Sequence, residues 1–515
     1  MEGRVFSAHK HTYLLLLLHI FLLALLPFKA ISSPKTQAEA LLTWKKNTFA
    51  SSPPSLTSWS LTNLNNLCNW TAIVCDQSSK EVSQIDLSNF NIAATLAHFN
   101  FTPFLNLTQF NLNGNKFTGP VPSAIGKLSK LTTLDLGNNF FDQEIPVEIG
   151  KLTELKYLSF YFSGLSGTIP YQLSNLQKVQ FLILGGNNLE TPHWSKFSGM
   201  PSLTYLDFSL NSLDSEFPEF ISKCLNLTFL DLSYNAFTGE LPEVVFTNLS
   251  KLEYLNLTNN DFEGPLPSNF PKLKHLHLAQ NNFSGAIPEA IGLISGLQRI
   301  DLAWNSLEGP IPSSIGQLRE LKYLDLRENS LNSLIPSELG LCTSLTYLDL
   351  TSNHLEGKIP PSMGQLRELQ YLDLSRNSLG SLIPSELGFC PSLSYLDLSG
   401  NQLSGSIPLT LNKLPSFQYF DLSNNNFTYL CEDARGLTRA CNSKKNNNKV
   451  IIGVLVPVCG LSVVATKIAL ILKFHKNTRR VRKKINSAQN FTFGEVARRS
   501  KIYVWGSCKG HRRFS

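Results

Sequence analysis

The sequence contains no HExxH, GxSxG, GxGxxG or P-loop, and no paired acid and base stand in a catalytic spacing. That removes the common metalloprotease, hydrolase and nucleotide-binding chemistries, and no cofactor or metal is implied. There is also no CxxC among the nine cysteines, so zinc-ribbon and thioredoxin-like readings lack support. Acids nearly vanish at the end. From Lys473 to Ser515 a single acid, Glu495, stands against 13 Lys and Arg, so this tail is +12 and the formal +7 of the chain leaves −5 for the rest. A basic tail beside a mildly acidic body implies two different surroundings, with no nucleic acid as partner.

What is present is a repeat. From Leu107 the unit LxxLxLxxNxLxGxIP recurs about every 24 residues, as LTTLDLGNNFFDQEIP from Leu131 and LSYLDLSGNQLSGSIP from Leu393. A fixed period in the twenties marks a solenoid in which each unit buries its apolar face only against its neighbours. LxxLxL reads as a short strand with inward leucines. An asparagine column from Asn115 to Asn425, broken at Ser163, can bond to backbone where the chain leaves the strand, and the Ile-Pro step bends the far side. The unit from Val179 replaces that step with TPHWSKFSGM, and the one from Leu252 has 21 residues. Each is open to reading as a kink or a contact site.

Two apolar segments flank the array. Tyr13 to Leu26, preceded by Arg4 and Lys10 and followed by small residues, reads as a signal peptide over 1–33. Residues 450–472 are long enough for one transmembrane helix, with Lys467 able to snorkel to its cytosolic end. The basic tail, 473–515, then lies inside by the positive-inside rule and binds anionic lipid. Between them lie an N-terminal cap (34–81), the repeats (82–428) and a C-terminal cap with juxtamembrane stretch (429–449). Cys68 with Cys75 and Cys431 with Cys441 read as disulfides closing the two caps in an oxidising compartment. Cys224, Cys342 and Cys390 share one repeat position and read as a buried, unpaired column. Eight sequons are candidate glycosylation sites: Asn69, Asn100, Asn106, Asn226, Asn248, Asn256, Asn282 and Asn426.

Strand positions that face outward separate scaffold from candidate site. The aspartates of LDL, Asp135 to Asp421, read as a solvated face. An aromatic column runs through Tyr157, Phe181, Tyr205, Phe229 and Tyr254, then resumes at Tyr323, and neighbouring rings should stack. His275, His277, Arg299 and Trp304 interrupt it on two adjacent strands with hot-spot residue types. Tyr161, Phe162, Phe181 and Ile183 make a second, apolar patch beside Ser163.

AEALLTWK with CNWTAIVC, the SGxIP-type repeats, ELGLC and ELGFC, the paired cysteines before VIIGVLVPVCG, and NFTFGEV at 490–496 together resemble the plant leucine-rich-repeat receptor-like kinases. The resemblance implies an α/β leucine-rich-repeat solenoid, with a curved parallel sheet of about 15 repeats, disulfide caps and one transmembrane helix. It also implies an extracellular peptide or protein ligand along Tyr205, Phe229, His275, Arg299 and Trp304, and a co-receptor kinase near Leu393 to Phe427. Two departures stand out: Ala72 replaces the glycine of the family's CxWxG, and after Val496 the likeness ends with no kinase motif, as a truncated or frameshifted gene would produce. The expectation is therefore a single-pass, type I plasma-membrane receptor-like protein, not itself an enzyme, that signals through a partner kinase. The alternatives are a ligand decoy or inhibitor of a cell-wall-degrading enzyme, and a receptor serine/threonine kinase seen in part.

Overall fold

The computed structural model describes residues 33–50, 54–415 and 418–427. The expected signal peptide, Cys431, Cys441, the apolar segment 450–472 and the basic tail lie outside the described residues. Among those described, no helix is long and apolar enough to cross a membrane.

The chain opens with a helix, Pro34–Thr48. The Ser33 hydroxyl accepts from the Thr36 N–H and Pro34 stands in the first turn, both helix-start signals. Its buried side is Gln37, Ala38, Leu41 and Trp44. Trp44 holds it down: its ring meets Phe49 at 4.9 Å and Phe99 at 4.8 Å, and its indole N–H donates to the Thr95 carbonyl at 2.8 Å. Gln37 ties the helix to the sheet, accepting from the Val82 N–H at 2.8 Å and donating to the Pro103 carbonyl at 2.8 Å. The Cys68–Cys75 disulfide is formed, across Cα atoms 5.4 Å apart. Between its cysteines, Ala72 has φ +68°, the left-handed region in which a Cβ is strained. Its departure from the family's glycine therefore has a physical cost.

One sheet of 16 strands runs through the described array. Its first strand, Ile73–Cys75, pairs antiparallel with Val82–Asp86, and every later pairing is parallel. Register advances by one unit per strand, so Tyr205 pairs Phe229, Phe229 pairs Tyr254, and Tyr254 pairs His275. Leucines at the first, fourth and sixth positions, such as Leu321, Leu324 and Leu326, are fully buried. On the far side the Ile-Pro step leads into short 3-10 turns such as Ser123–Lys127; only Glu243–Asn248 there is an α-helix among the described residues. A proline at nearly every entry, Trp194–Lys196 excepted, and a single turn per repeat leave no room for longer helices.

The asparagine column does what its position suggests. Asn139 donates from Nδ2 to the carbonyls of Leu112, Leu136 and Gly137 at 2.9, 3.0 and 3.0 Å, and its Oδ1 accepts from the Phe117 N–H at 3.0 Å. One side chain thereby joins two turns. Ser163 is too short to repeat this and donates only to the Leu136 carbonyl, at 3.0 Å. Cys224, Cys342 and Cys390 are buried and unpaired. The unit with TPHWSKFSGM is filled by Trp194, stacked on Phe208 and Phe220 at 6.2 and 5.5 Å, so its irregularity is a packed plug. The 21-residue unit keeps the sheet register but lacks a helical turn, leaving a cleft of about 420 Å³ lined by Phe270, Lys274 and Leu293.

Candidate functional site

Outward-facing residues of the three-residue strands make the open face of the long sheet. Its aromatic column forms two tight stacks. Tyr205, Phe229 and Tyr254 have successive centroids 4.0 and 4.3 Å apart, and Tyr323 through Tyr419 continue at 4.2–4.3 Å. Upstream the contact is looser, with Phe181 at 5.8 Å from both Tyr157 and Tyr205. The central interruption proves to be a change of chemistry in a continuous ladder. Arg299 lies over the Tyr323 ring at 3.5 Å and pairs with Asp301 at 3.5 Å, while Tyr254 meets His275 and His277 at 5.8 and 5.4 Å. Arg299 Nε is buried and without a hydrogen-bond partner.

The aspartate column is not the solvated face expected of it. Asp207, Asp325, Asp349, Asp373 and Asp397 are buried. Each accepts from the backbone N–H two residues on, as Asp349 does from Thr351 at 3.0 Å, and at Asp325, Asp349, Asp373 and Asp397 a tyrosine adds a hydroxyl donor, Tyr347 to Asp349 at 3.1 Å. Burial sets the titration. It raises Asp207 and Asp231, and with the charge of Asp349 it pushes Asp325 up to about 7, while Arg327 pulls the other way. Burial, then Asp207 and Asp231, lift Tyr205 to about 12. Burial and the neighbouring Arg299 hold His277 down to about 4 and lower His275, so both rings are neutral near pH 7.

A feature invisible in the repeat formula is the backbone just before each column asparagine. That residue is left-handed along the array, and it is bulky at Phe162, Leu210, Tyr234 and Trp304, with φ of +47°, +54°, +55° and +57°. Such a conformation costs on the order of 1–2 kcal/mol for an L-residue. It is held by the next repeat: Leu210 donates its N–H to the Ser233 carbonyl at 2.8 Å and Trp304 to the Arg327 carbonyl at 3.0 Å. The side chains are turned outward, 45%, 40%, 48% and 50% exposed in the same order. Glycine at 114, 186 and 400 in this column was the available sequence signal.

Trp304 therefore stands on a turn beyond the strand Arg299–Asp301, not on the strand as its motif suggested, and Tyr161 and Phe162 likewise follow Tyr157–Ser159. Tyr161 and Phe162 meet edge-on at 4.7 Å, and the Phe162 ring covers Gly186, where a Cβ would fall 2.7 Å from it. The structure keeps two patches apart: one around Tyr161, Phe162 and Phe181, the other around His275, His277, Arg299 and Trp304. Leu210 and Tyr234, unremarked in the sequence, stand between them. Among the sequons Asn69, Asn100, Asn248, Asn282 and Asn426 are exposed. Asn106 and Asn226 are half-buried, as is Asn256, which stands on the open face and donates to Asp231 at 3.0 Å. Among the described residues no three His, Cys, Asp or Glu side chains are grouped to hold a metal ion.

Comparison with known proteins places this scaffold. The family descriptions that match are leucine rich repeat N-terminal domain over 34–76, and leucine rich repeat over 177–237, 310–355 and 357–403, with further single repeats from 106–128 to 296–318. The MDIS1-interacting receptor like kinase 2 of Arabidopsis thaliana is 34% identical over 104 residues, which is 20% of this chain and 10% of that protein. The alignment thus spans about a tenth of that relative. The crystal structure of PEPR1–AtPEP1 is 32% identical, with TM-score 0.70, covering 76% of this chain and 56% of that one. The ectodomain of the Arabidopsis receptor kinase HAESA, in complex with an N-terminally extended IDA peptide hormone ligand, is 30% identical with TM-score 0.61, covering 77% and 70%. The chain belongs to the plant leucine-rich-repeat receptor kinase family, and it shares that family's ectodomain.

Proposed function

We propose that this protein is a cell-surface receptor-like protein that binds an extracellular peptide or protein on the open face of its long sheet. One observation carries the reading: Phe162, Leu210, Tyr234 and Trp304 accept a strained left-handed backbone and yet stay exposed along one edge of that face. Strain retained without burial points to a contact surface. The HAESA structure, with its peptide hormone ligand, supports a peptide as the occupant. In this reading Tyr161, Phe162, Phe181, Tyr205, Phe229, His275, His277, Arg299 and Trp304 contribute to the ligand surface. The protein stands in the plasma membrane as a single-pass type I chain, its basic tail on anionic lipid, and a co-receptor kinase carries the signal.

The test is capture of secreted peptides by the chain displayed on cells. Arg299→Ala with Trp304→Ala is expected to weaken capture at least about tenfold, as loss of an aromatic and an arginine hot spot does. Wild-type capture by a folded double variant would make the central patch structural.

A further inference from the structure

In the middle of the open face the chain neutralises its own carboxylates. Arg299 covers the Tyr323 ring and pairs with Asp301, and Arg327 reaches both Asp325 at 3.6 Å and Asp349 at 3.3 Å. Towards the C-terminus Asp373 and Asp397 have no ion pair among the described residues but accept from tyrosine hydroxyls, and nearer the N-terminus both kinds of partner stop. Asp207 and Asp231 occupy the same column, yet among the described residues neither forms an ion pair. Asp207 is 7% exposed. Its Oδ1 accepts from the Ser209 N–H at 2.9 Å and hydroxyl at 2.6 Å, and its Oδ2 has no partner among the described residues. Asp231 accepts from Ser233 at 2.9 and 2.6 Å and from Asn256 at 3.0 Å, all neutral groups.

The surroundings suit a cation. Tyr205 and Phe229 are stacked at 4.0 Å beside these carboxylates. Tyr161 comes near enough that both acids raise its hydroxyl's pKa, after burial. Leu210 and Tyr234 each follow one of these acids by three residues, Phe162 covers Gly186, and the repeat between Phe162 and Leu210 offers only Gly185 and Gly186 at the matching positions. At Gly185 a Cβ would sit 2.7 Å from Asp207 Oδ1 and 3.1 Å from its Cγ, so any larger residue there would crowd the carboxylate. Desolvated carboxylates without a counter-ion are costly.

We propose that this basin is a subsite for a lysine or arginine side chain of the peptide ligand, paired with Asp207 and Asp231 beside the aromatic column. The ion pair copies the one that Arg327 makes with Asp325 and Asp349 within the chain. It rests on the receptor reading above and adds the chemical class of one ligand side chain.

The probes are fluorescein-labelled tetra-arginine amide and its uncharged tetra-citrulline counterpart, bound to the full chain and read by fluorescence anisotropy. Tetra-arginine is expected to bind at least about tenfold tighter. Asp207→Asn with Asp231→Asn should abolish the difference, and Glu253→Gln, an acid paired with Lys274, should leave it intact. Because the double variant removes buried groups, a second variant covers misfolding. Ser209→Arg places an arginine two residues after Asp207, as Arg327 follows Asp325, and should fold and remove the preference by filling the basin. Equal binding of the two probes, or a preference that survives in either variant, overturns the subsite. A secreted peptide whose capture ignores both variants would leave the receptor reading standing and the subsite refuted. Arginine discrimination at Asp207 and Asp231 in a chain that captures no secreted peptide would do the reverse.

Discussion

The two halves of the open face are built to different rules. From Leu321 to Phe427 the face is uniform: tyrosines stack at 4.2–4.3 Å, and Asp325, Asp349, Asp373 and Asp397 lie buried beneath them. Two successive double units, 313–360 and 361–408, are identical at 34 of 48 positions, and they behave alike. Arg319 and Arg367 each donate to a carbonyl one repeat on, Leu341 and Phe389, at 2.7 Å. Between Tyr157 and Tyr205 the stack loosens, and on through Tyr254 glycines replace side chains, Asp207 and Asp231 have no tyrosine hydroxyl donor among the described residues and bulky residues take left-handed backbone. Repetition makes a rigid, self-satisfied surface; irregularity leaves groups that a partner can satisfy.

The regular half should break hardest. Asn353 donates to three carbonyls at 3.0–3.2 Å and accepts from Leu331, so Asn353→Ala should cost about 3 kcal/mol or more through stranded buried groups. Urea unfolding measures it, and a loss no larger than at a surface site would show that water replaces the ladder. At Ser163 only one such bond exists, and Ser163→Ala should be visibly milder.

The buried acid column predicts a pH dependence next in size. Asp325 is raised in the folded state, to about 7 from 3.8, so its contribution to stability is fully present below pH 3.8 and lost as pH rises through about 7. His277 has the opposite sign: lowered to about 4 from 6.5, it contributes above pH 6.5 and loses that as pH falls through about 4. Asp325→Asn should therefore flatten the fall in stability from weakly acid to neutral pH, by on the order of 2 kcal/mol. Melting temperatures of wild type and variant across that window test it; parallel profiles would refute it.

The smallest effect belongs to the N-terminal end. Ala72→Gly relieves the left-handed strain at φ +68° and should stabilise by about 0.5–1 kcal/mol, since glycine's extra unfolded-state freedom offsets part of the gain. An unchanged or lower denaturation midpoint would mean that the alanine methyl earns its place by packing.

Much of this was legible in one dimension, because a solenoid satisfies itself locally. Leucine spacing gives the strand, its inward face and its pairing with the next unit, so Leu324 is buried for reasons visible within its own repeat. The asparagine column, the buried cysteines and the Cys68–Cys75 bridge follow the same way. The aspartates did not, since a charged residue at an outward position reads as solvated until the tyrosines beside it are seen to cover it.

The sequence by itself determined the solenoid, its parallel sheet and the order of its outward columns, because each repeat's pattern refers only to its immediate neighbours. Only the tertiary structure decided what those columns mean. It joined Arg299 to Tyr323 and Asp301, turned Phe162, Leu210, Tyr234 and Trp304 outward on left-handed backbone, and left Asp207 and Asp231 without a cation. Those outcomes depend on which side chain of one repeat lies over which atom of the next, and that distance is set by stacking across the sheet.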